Sequence, residues 1–473
     1  MIARFALPAL CAALVGMPAH AANWVTFGGS ANRLGVQTET ALTPATVSGL
    51  ALRWQLLLSD TSTAQPLYVE GAVAGHNEVF QVTRSGQVAA VNAATGALDW
   101  ATQLPVTQAS GCIPASWGPG GTPTIDPVAG VLYEVDATGA LHALNLGSGT
   151  EAPGYPVQVV AATDVALGSF NHSSPTQIGS TLYITISAIG ACEAAKSLFR
   201  GAVIEFNAAS MNVVGTWYPV QATIGGGGIW GPGGVALDPK SGDLLVATGN
   251  ALTRPSYGRG AESVVELDQN LDLLAEQTPG KPVLTKGGDF DFGSTPVPIE
   301  VGKCKPLLAV LNKTGNLYVY EQKKVKAGPL QVLDVSAGGG GPNSLFGMAA
   351  YDPATSELFL NNPLASANGS YTNGAIAFQA GCGGLSVAWQ STFGNNQVNG
   401  LNRSTQPVVA GGLVWVSTGA NDSVIALNEA TGAPVWSTAS ANVTAPTTGP
   451  VAIADGQLFF QSGLKLMGYA LTQ

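Results

Sequence analysis

AVNAATGALDW, residues Ala90–Trp100, returns as ALNEATGAPVW at Ala426–Trp436. In both, an apolar strand runs into Asn, turns at Ala-Thr-Gly and leaves in a second strand that ends in Trp. Asn and Gly are the residues that such a turn needs, because one bonds its own backbone and the other accepts positive φ. Blurred copies follow the same scheme: ALNLGSGTEAPGY from Ala143, EFNAASMNVVGTW from Glu205, ELDQNLDLL from Glu266, VYEQKKVKAGPL from Val319 and AFQAGCGGLSVAW from Ala377. A last copy is cut to ALTQ at Ala470. Their starts lie between 44 residues apart (Ala426 to Ala470) and 62 residues apart (Ala143 to Glu205). That is at or above the period of a four-stranded propeller blade. Alternating strands such as GVLYEVD, GDLLVAT, GNLYVYE and GLVWVST precede most copies. Eight copies predict an all-β, eight-bladed β-propeller of four-stranded antiparallel blades.

The chain ends suggest how the ring shuts. The copy at Ala470 leaves no room for a fourth strand, while LALRWQLLL (Leu50–Leu58) precedes the first blade without a partner. The N-terminal strand is therefore expected to complete the last blade and remove two open edges. Ligands of such rings bind at the mouth of the central channel, on the connecting loops.

Composition fits a folded, turn-rich protein: of 473 residues, 46% are hydrophobic and 10% charged, with 61 Gly and 29 Pro. The net charge of −10 argues against nucleic acid or an anionic membrane as partner. Residues 1–21 combine Arg4, the apolar run FALPALCAALVGM and AHA, the pattern of a secretory signal peptide. Residues 22–473 are then one propeller domain, periplasmic or secreted, and nothing in them is long and apolar enough for a membrane span. With Cys11 in the signal, Cys112, Cys192, Cys304 and Cys382 remain. An even count in an exported chain favours two disulfides. Three pairings are open; Cys112–Cys192 with Cys304–Cys382 is preferred because each joins neighbouring parts of the chain.

Chemistry-bearing residues concentrate between Gly225 and Tyr320, in GGGGIWGPGGVALDPKSGDLLVATGN, GGDFDFGSTP and AVLNKTGNLYVY. Glycines let backbone approach a flat or charged ligand, Trp230 offers a stacking face, and Asn250 with Asp289 and Asp291 offers hard oxygens suited to calcium. Each has a plainer reading: blade docking for Trp230, turn chemistry for Asn250 and the two aspartates, a solvated hairpin cation for Lys313.

These loops, the opening NWVTFGGSANRLGVQTETALTPATV, and the segments FRGAVIEFNAAS and GGGGPNSLFGMAAYDP resemble the quinoprotein dehydrogenase superfamily. The likeness is greatest to the propeller part of polyvinyl-alcohol-dehydrogenase-like proteins. The resemblance implies an eight-bladed ring that binds pyrroloquinoline quinone (PQQ) with calcium. It implies that Trp230 stacks on the quinone and that Lys313 bonds its oxygens. It also implies that Glu193 (in GACEAAKSLFRG), Asn250 and Asp291 surround the metal, with Asp291 as catalytic base.

Three departures stand out: no adjacent Cys-Cys pair, no C-x-x-C-H haem motif, and Phe346 where the family pattern has Trp. Without a haem, electrons would leave to a separate acceptor such as a cytochrome. The implied activity is oxidation of an alcohol or similar hydroxyl compound, small or polymeric. The alternative is a non-catalytic propeller of the same lineage, serving as a binding or assembly scaffold. His76, His142 and His172 have no spacing that links them into a metal site or a triad; of two readings of His172, a channel-facing residue or a hydrogen-bonded strand-end histidine, the second is preferred.

The exported chain is expected to start near Ala22 and, denatured without reductant, to react with no thiol reagent; two or more reactive thiols would remove the disulfide reading. Reduction is expected to cost about 2 to 4 kcal/mol per bridge, read as a fall in melting temperature.

Overall fold

A computed structural model describes residues 23–38, 41–252, 260–279, 290–337, 344–345, 347–393, 397–398, 401–418, 424–438, 443 and 449–472. Residues 1–22, with the expected signal peptide and Cys11, and also Asp289 and Phe346, lie outside the described residues.

Eight antiparallel sheets follow one another along the chain. Blade 1 is Leu67–Val73, His76–Val82, Gln87–Asn92 and Leu98–Gln103, paired in that order. Each repeat copy but the truncated last falls at the passage from third strand to fourth, as at Gln87–Asn92 into Leu98–Gln103 and Val424–Asn428 into Pro434–Ser437. Blade 8 combines Ala452–Ala454, Gln457–Ser462 and Lys465–Leu471 with Leu50–Leu57, whose register runs from Leu50 opposite Leu471 to Leu57 opposite Lys465. Two features have no signature in the repeat. Val36–Gln37 adds a parallel strand to blade 7, and a small three-stranded sheet joins Ser344–Leu345 to Gln397–Val398 and Leu401–Arg403.

The repeat motif has a mechanical meaning. Asn92 caps its turn by accepting the N–H groups of Ala94 and Thr95 on Oδ1, both at 3.1 Å, and Asn428 treats Thr431 alike. Gly96, at φ 73°, closes the turn. The preceding blade's Trp54 lies on this glycine, so close that a Cβ would stand 2.6 Å from the ring. Trp54 Nε1 donates to Ala93 O at 2.8 Å. The motif's own Trp100 does the same to blade 2, over Gly149 and onto Leu146 O at 2.7 Å. Trp389 of blade 6 sits on Gly432 of blade 7 and donates to Glu429 O at 2.7 Å. Gly and Trp of one motif thus belong to two different blade interfaces.

Across the ring runs the segment that follows Ala22. Trp24 pairs with Tyr68, Val25 O accepts Ile125 N–H, Ala31 O accepts Leu237 N–H, Leu34 O accepts Tyr351 N–H and Gly35 O accepts Val409 N–H. Those partners belong to the first strands of blades 1, 2, 4, 6 and 7, so the segment spans the inside of the ring. Arg33 anchors it. Fully buried, its guanidinium donates to Phe27 O and Pro175 O at 2.9 Å, Thr176 Oγ1 at 2.6 Å, Val235 O at 3.3 Å and Thr26 Oγ1. Burial pushes its pKa down to about 9, but these oxygen acceptors hold the charge that the delocalised guanidinium keeps.

Cys112 pairs with Cys192 and Cys304 with Cys382, with Cα atoms 4.8 and 5.0 Å apart. Among the described residues no helix is long and apolar enough to cross a membrane.

Arg33→Met keeps the aliphatic stem but strands several buried carbonyls without a donor. Urea unfolding is expected to show a loss of about 3 kcal/mol or more; a loss under about 0.5 kcal/mol would mean that the segment is held by its backbone pairing alone.

Candidate functional site

Two kinds of connection meet at one mouth of the channel. Glu193, Asn250 and Lys313 each follow the second strand of a blade: Thr181–Ala188 in blade 3, Leu244–Ala247 in blade 4 and Leu307–Leu311 in blade 5. Trp230 and Asp291 lie on the connections that lead into the first strands of blades 4 and 5, Ala236–Leu237 and Val297–Ile299. Repetition of the blade therefore stacks equivalent loops side by side. A cavity of about 460 Å³ opens among them, lined by Glu193, Trp230, Asp291 and Lys313, with Phe27 of the crossing segment also in its wall. That volume is ordinary for a small-molecule site.

Asp291 is the hub. Its Oδ2 accepts the indole N–H of Trp230 at 2.8 Å, and its Oδ1 lies 2.9 Å from Lys313 Nζ. Both partners of this ion pair are more than nine-tenths buried. Lys313 is aimed by its turn: Asn312 Oδ1 accepts Thr314 N–H, Asn312 Nδ2 donates to Phe290 O at 2.7 Å, and Lys313 N donates to Asp291 O at 3.1 Å. Its ammonium also stands 4.8 Å from the centre of the Trp230 ring, within cation–π range. The half-buried indole is backed by Gly293, where a Cβ would fall 2.2 Å from it. Only glycine lets the ring lie there.

Glu193 and Asn250 form a second pair. Asn250 Nδ2 lies 3.3 Å from Glu193 Oε1. Glu193 rides on the short helix Gly190–Ala194, which the Cys112–Cys192 bridge ties to the 105–118 loop. Asn250 adjoins Gly249, whose Cβ position lies 3.2 Å from Asp291 Oδ2 and 3.4 Å from Trp230 Nε1. All five expected site residues thus lie at one mouth.

Two wall residues, Trp117 and Arg84, escaped the sequence reading. Trp117 lines the cavity, and Arg84 lies over its ring at 5.3 Å. The signal was present: WGPGG occurs at Trp117–Gly121 and again at Trp230–Gly234. His172 also lines the cavity, with Nε2 donating to Ala188 O at 2.8 Å. Burial lowers its pKa against the opposing effect of that bond, so the ring is neutral near pH 7 and Nδ1 remains an acceptor.

The comparisons agree on the fold. A family model described as outer membrane protein assembly factor BamB matches residues 349–473. A europium-containing methanol dehydrogenase superposes with TM-score 0.70 at 15% identity, over 93% of this chain and 90% of that one. Quinohemoprotein alcohol dehydrogenase ADHIIG from Pseudomonas putida HK5 gives 0.69 at 16%, over 95% and 80%. BamB from Moraxella catarrhalis gives 0.57 at 14%, over 89% and 99%. Comparison with curated proteins returns no match. The chain is therefore an eight-bladed propeller of the type found in quinoprotein alcohol dehydrogenases, a fold that it also shares with BamB.

Trp389, seated between blades, and Trp230, facing the cavity, are expected to differ on truncation. Trp389→Ala is expected to cost about 3 to 5 kcal/mol. Trp230→Ala is expected to cost less than about 2 kcal/mol, the comparison being made by denaturant melts. Equal losses would make Trp230 a docking residue.

Proposed function

We propose that the chain is a PQQ- and calcium-dependent oxidoreductase that acts on an alcohol or similar hydroxyl compound, exported to the periplasm or beyond. One observation carries this reading: Trp230, Asp291 and Lys313, from three separate loops, touch one another in the wall of a ligand-sized cavity. A scaffold has no evident use for a buried ion pair aimed at a channel mouth.

The residues suit the cofactor. Gly293 frees the indole of Trp230 to serve as a flat platform for an aromatic ligand. Lys313 would bond anionic quinone oxygens. Glu193 and Asn250, already adjacent, supply a carboxylate and an amide, oxygen donors of the kind that calcium takes. Asp291 would be the third oxygen donor. No adjacent cysteine pair covers the ligand here; Trp117 and Arg84 form another part of the wall instead.

Bound there, PQQ would supply the two-electron acceptor that alcohol oxidation requires. The chain's own part is proton and charge management. The ammonium of Lys313 favours the ionised form of Asp291, and the Trp230 N–H fixes Oδ2. An ionised Asp291 can take the substrate's hydroxyl proton once that hydroxyl replaces one of its present partners. The positive charge of Lys313 favours negative charge that builds up nearby during oxidation. Electrons would then pass to a separate acceptor such as a cytochrome. The two disulfides support export, where thiols are oxidised.

Two observations favour a scaffold role: both oxygens of Asp291 are already engaged, and the BamB family model covers the last blades. Purified protein mixed with PQQ and calcium decides between them. The enzyme reading expects saturable quinone binding, weakened by Trp230→Ala, and dye reduction with some member of an alcohol panel. Asp291→Asn is expected to retain the quinone while turnover falls about 100-fold or more. Absence of quinone binding by the wild type leaves the scaffold.

A further inference from the structure

At the other end of blade 1, far from the cavity, His76, Glu78 and Asp99 bring one nitrogen and two carboxylate oxygens within 4.8 Å of one another. His76 and Glu78 alternate along the second strand, His76–Val82, and so project from one face. Asp99 reaches the same place from the fourth strand, Leu98–Gln103, where the pairing of the two outer strands shifts register between Ala90 and Val91. The hairpin before His76 is tightly specified: Ala74 and Gly75 have φ of 48° and 83°, the left-handed pair of a two-residue turn. Arg84, which lines the cavity, follows the opposite end of that same strand, about 20 Å away at the usual rise per residue.

Glu78 is the anomaly. It has no solvent exposure, yet neither carboxylate oxygen accepts a hydrogen bond from any donor among the described residues. Buried carboxylates are ordinarily paired or bound to metal, and Asp99 beside it can share a hydrogen bond with Glu78 only if one of the two carries a proton. A buried carboxylate with neither a donor nor a cation among the described residues must hold a proton or take up an ion.

We propose that His76, Glu78 and Asp99 form a binding site for a divalent transition ion, zinc above all, that clips the first hairpin of blade 1 to its outer strand. One imidazole with two carboxylates is a donor set for zinc or its neighbours, whereas calcium takes oxygen alone. Donors bound at about 2.1 Å stand some 3 to 4 Å apart, so drawing these three together needs only small side-chain rotations. Three protein ligands leave a fourth position to water. Rival zinc ligands are few: the four mature cysteines are bridged, and His142 and His172 are engaged elsewhere.

The site is independent of the channel, and its test needs no quinone. Full-length protein stripped with EDTA and held in excess calcium is titrated with zinc chloride while melting is followed. The wild type is expected to gain about 3 °C at a hundredfold excess over Kd. His76→Ala and Asp99→Asn, both at exposed positions, are expected to lose that gain and the matching calorimetric binding signal. A wild type without zinc-dependent melting, as when Glu78 and Asp99 merely share a proton, overturns the proposal. So do variants that respond as the wild type does.

Discussion

An indole laid on a glycine, with its N–H given to the carbonyl of the same turn, is the joint on which this ring depends. Trp54, Trp100 and Trp389 each make it with the following blade. A four-stranded sheet cannot bury both faces by itself, and neighbouring blades must cover them. The joint fixes how they do so, because a directional hydrogen bond is added to an apolar contact that would otherwise slide. Any side chain at Gly96, Gly149 or Gly432 would lift the ring from its seat. The glycine is needed twice, for its positive φ and for its missing Cβ.

That double use explains why the fold was legible. The Asn-x-Ala-Thr-Gly-x-x-x-Trp string carries a cap, a turn and two half-joints within eleven residues, so its recurrence counts blades directly. The chosen cysteine pairing also holds, since each bridge joins loops of nearby blades. Local pattern said nothing of Arg33, whose acceptors come from Thr26 to Val235, nor of the parallel strand Val36–Gln37, whose partner is Val409. Those depend on where a non-repetitive segment crosses the ring.

The candidate site is legible in part for the same reason. Glu193, Asn250 and Lys313 are far apart in sequence, but they occupy like positions in consecutive blades, and resemblance to a known family was enough to collect them. The ion pair of Lys313 with Asp291, and the bond from Trp230 to Asp291, could not be read in advance, because they depend on loop conformations rather than on period. Trp117 was legible and missed: its WGPGG duplicates that of Trp230. His76 and Glu78 share one strand, but Asp99 belongs to a strand two places away across the sheet, so no local spacing links the three.

Blade 8 draws on both ends of the described chain. Arg53 bonds the carbonyl of Leu471, 418 residues further on. A polypeptide emerging from its N-terminus holds Leu50–Leu57 as an orphan strand until Lys465–Leu471 arrives, and the crossing segment before it waits for first strands from blades not yet made. Contacts of such long range form late and slowly. The ring is thus under topological timing: it cannot close on a partial chain. Until the last strand arrives, the delay leaves an unpaired edge that invites wrong partners.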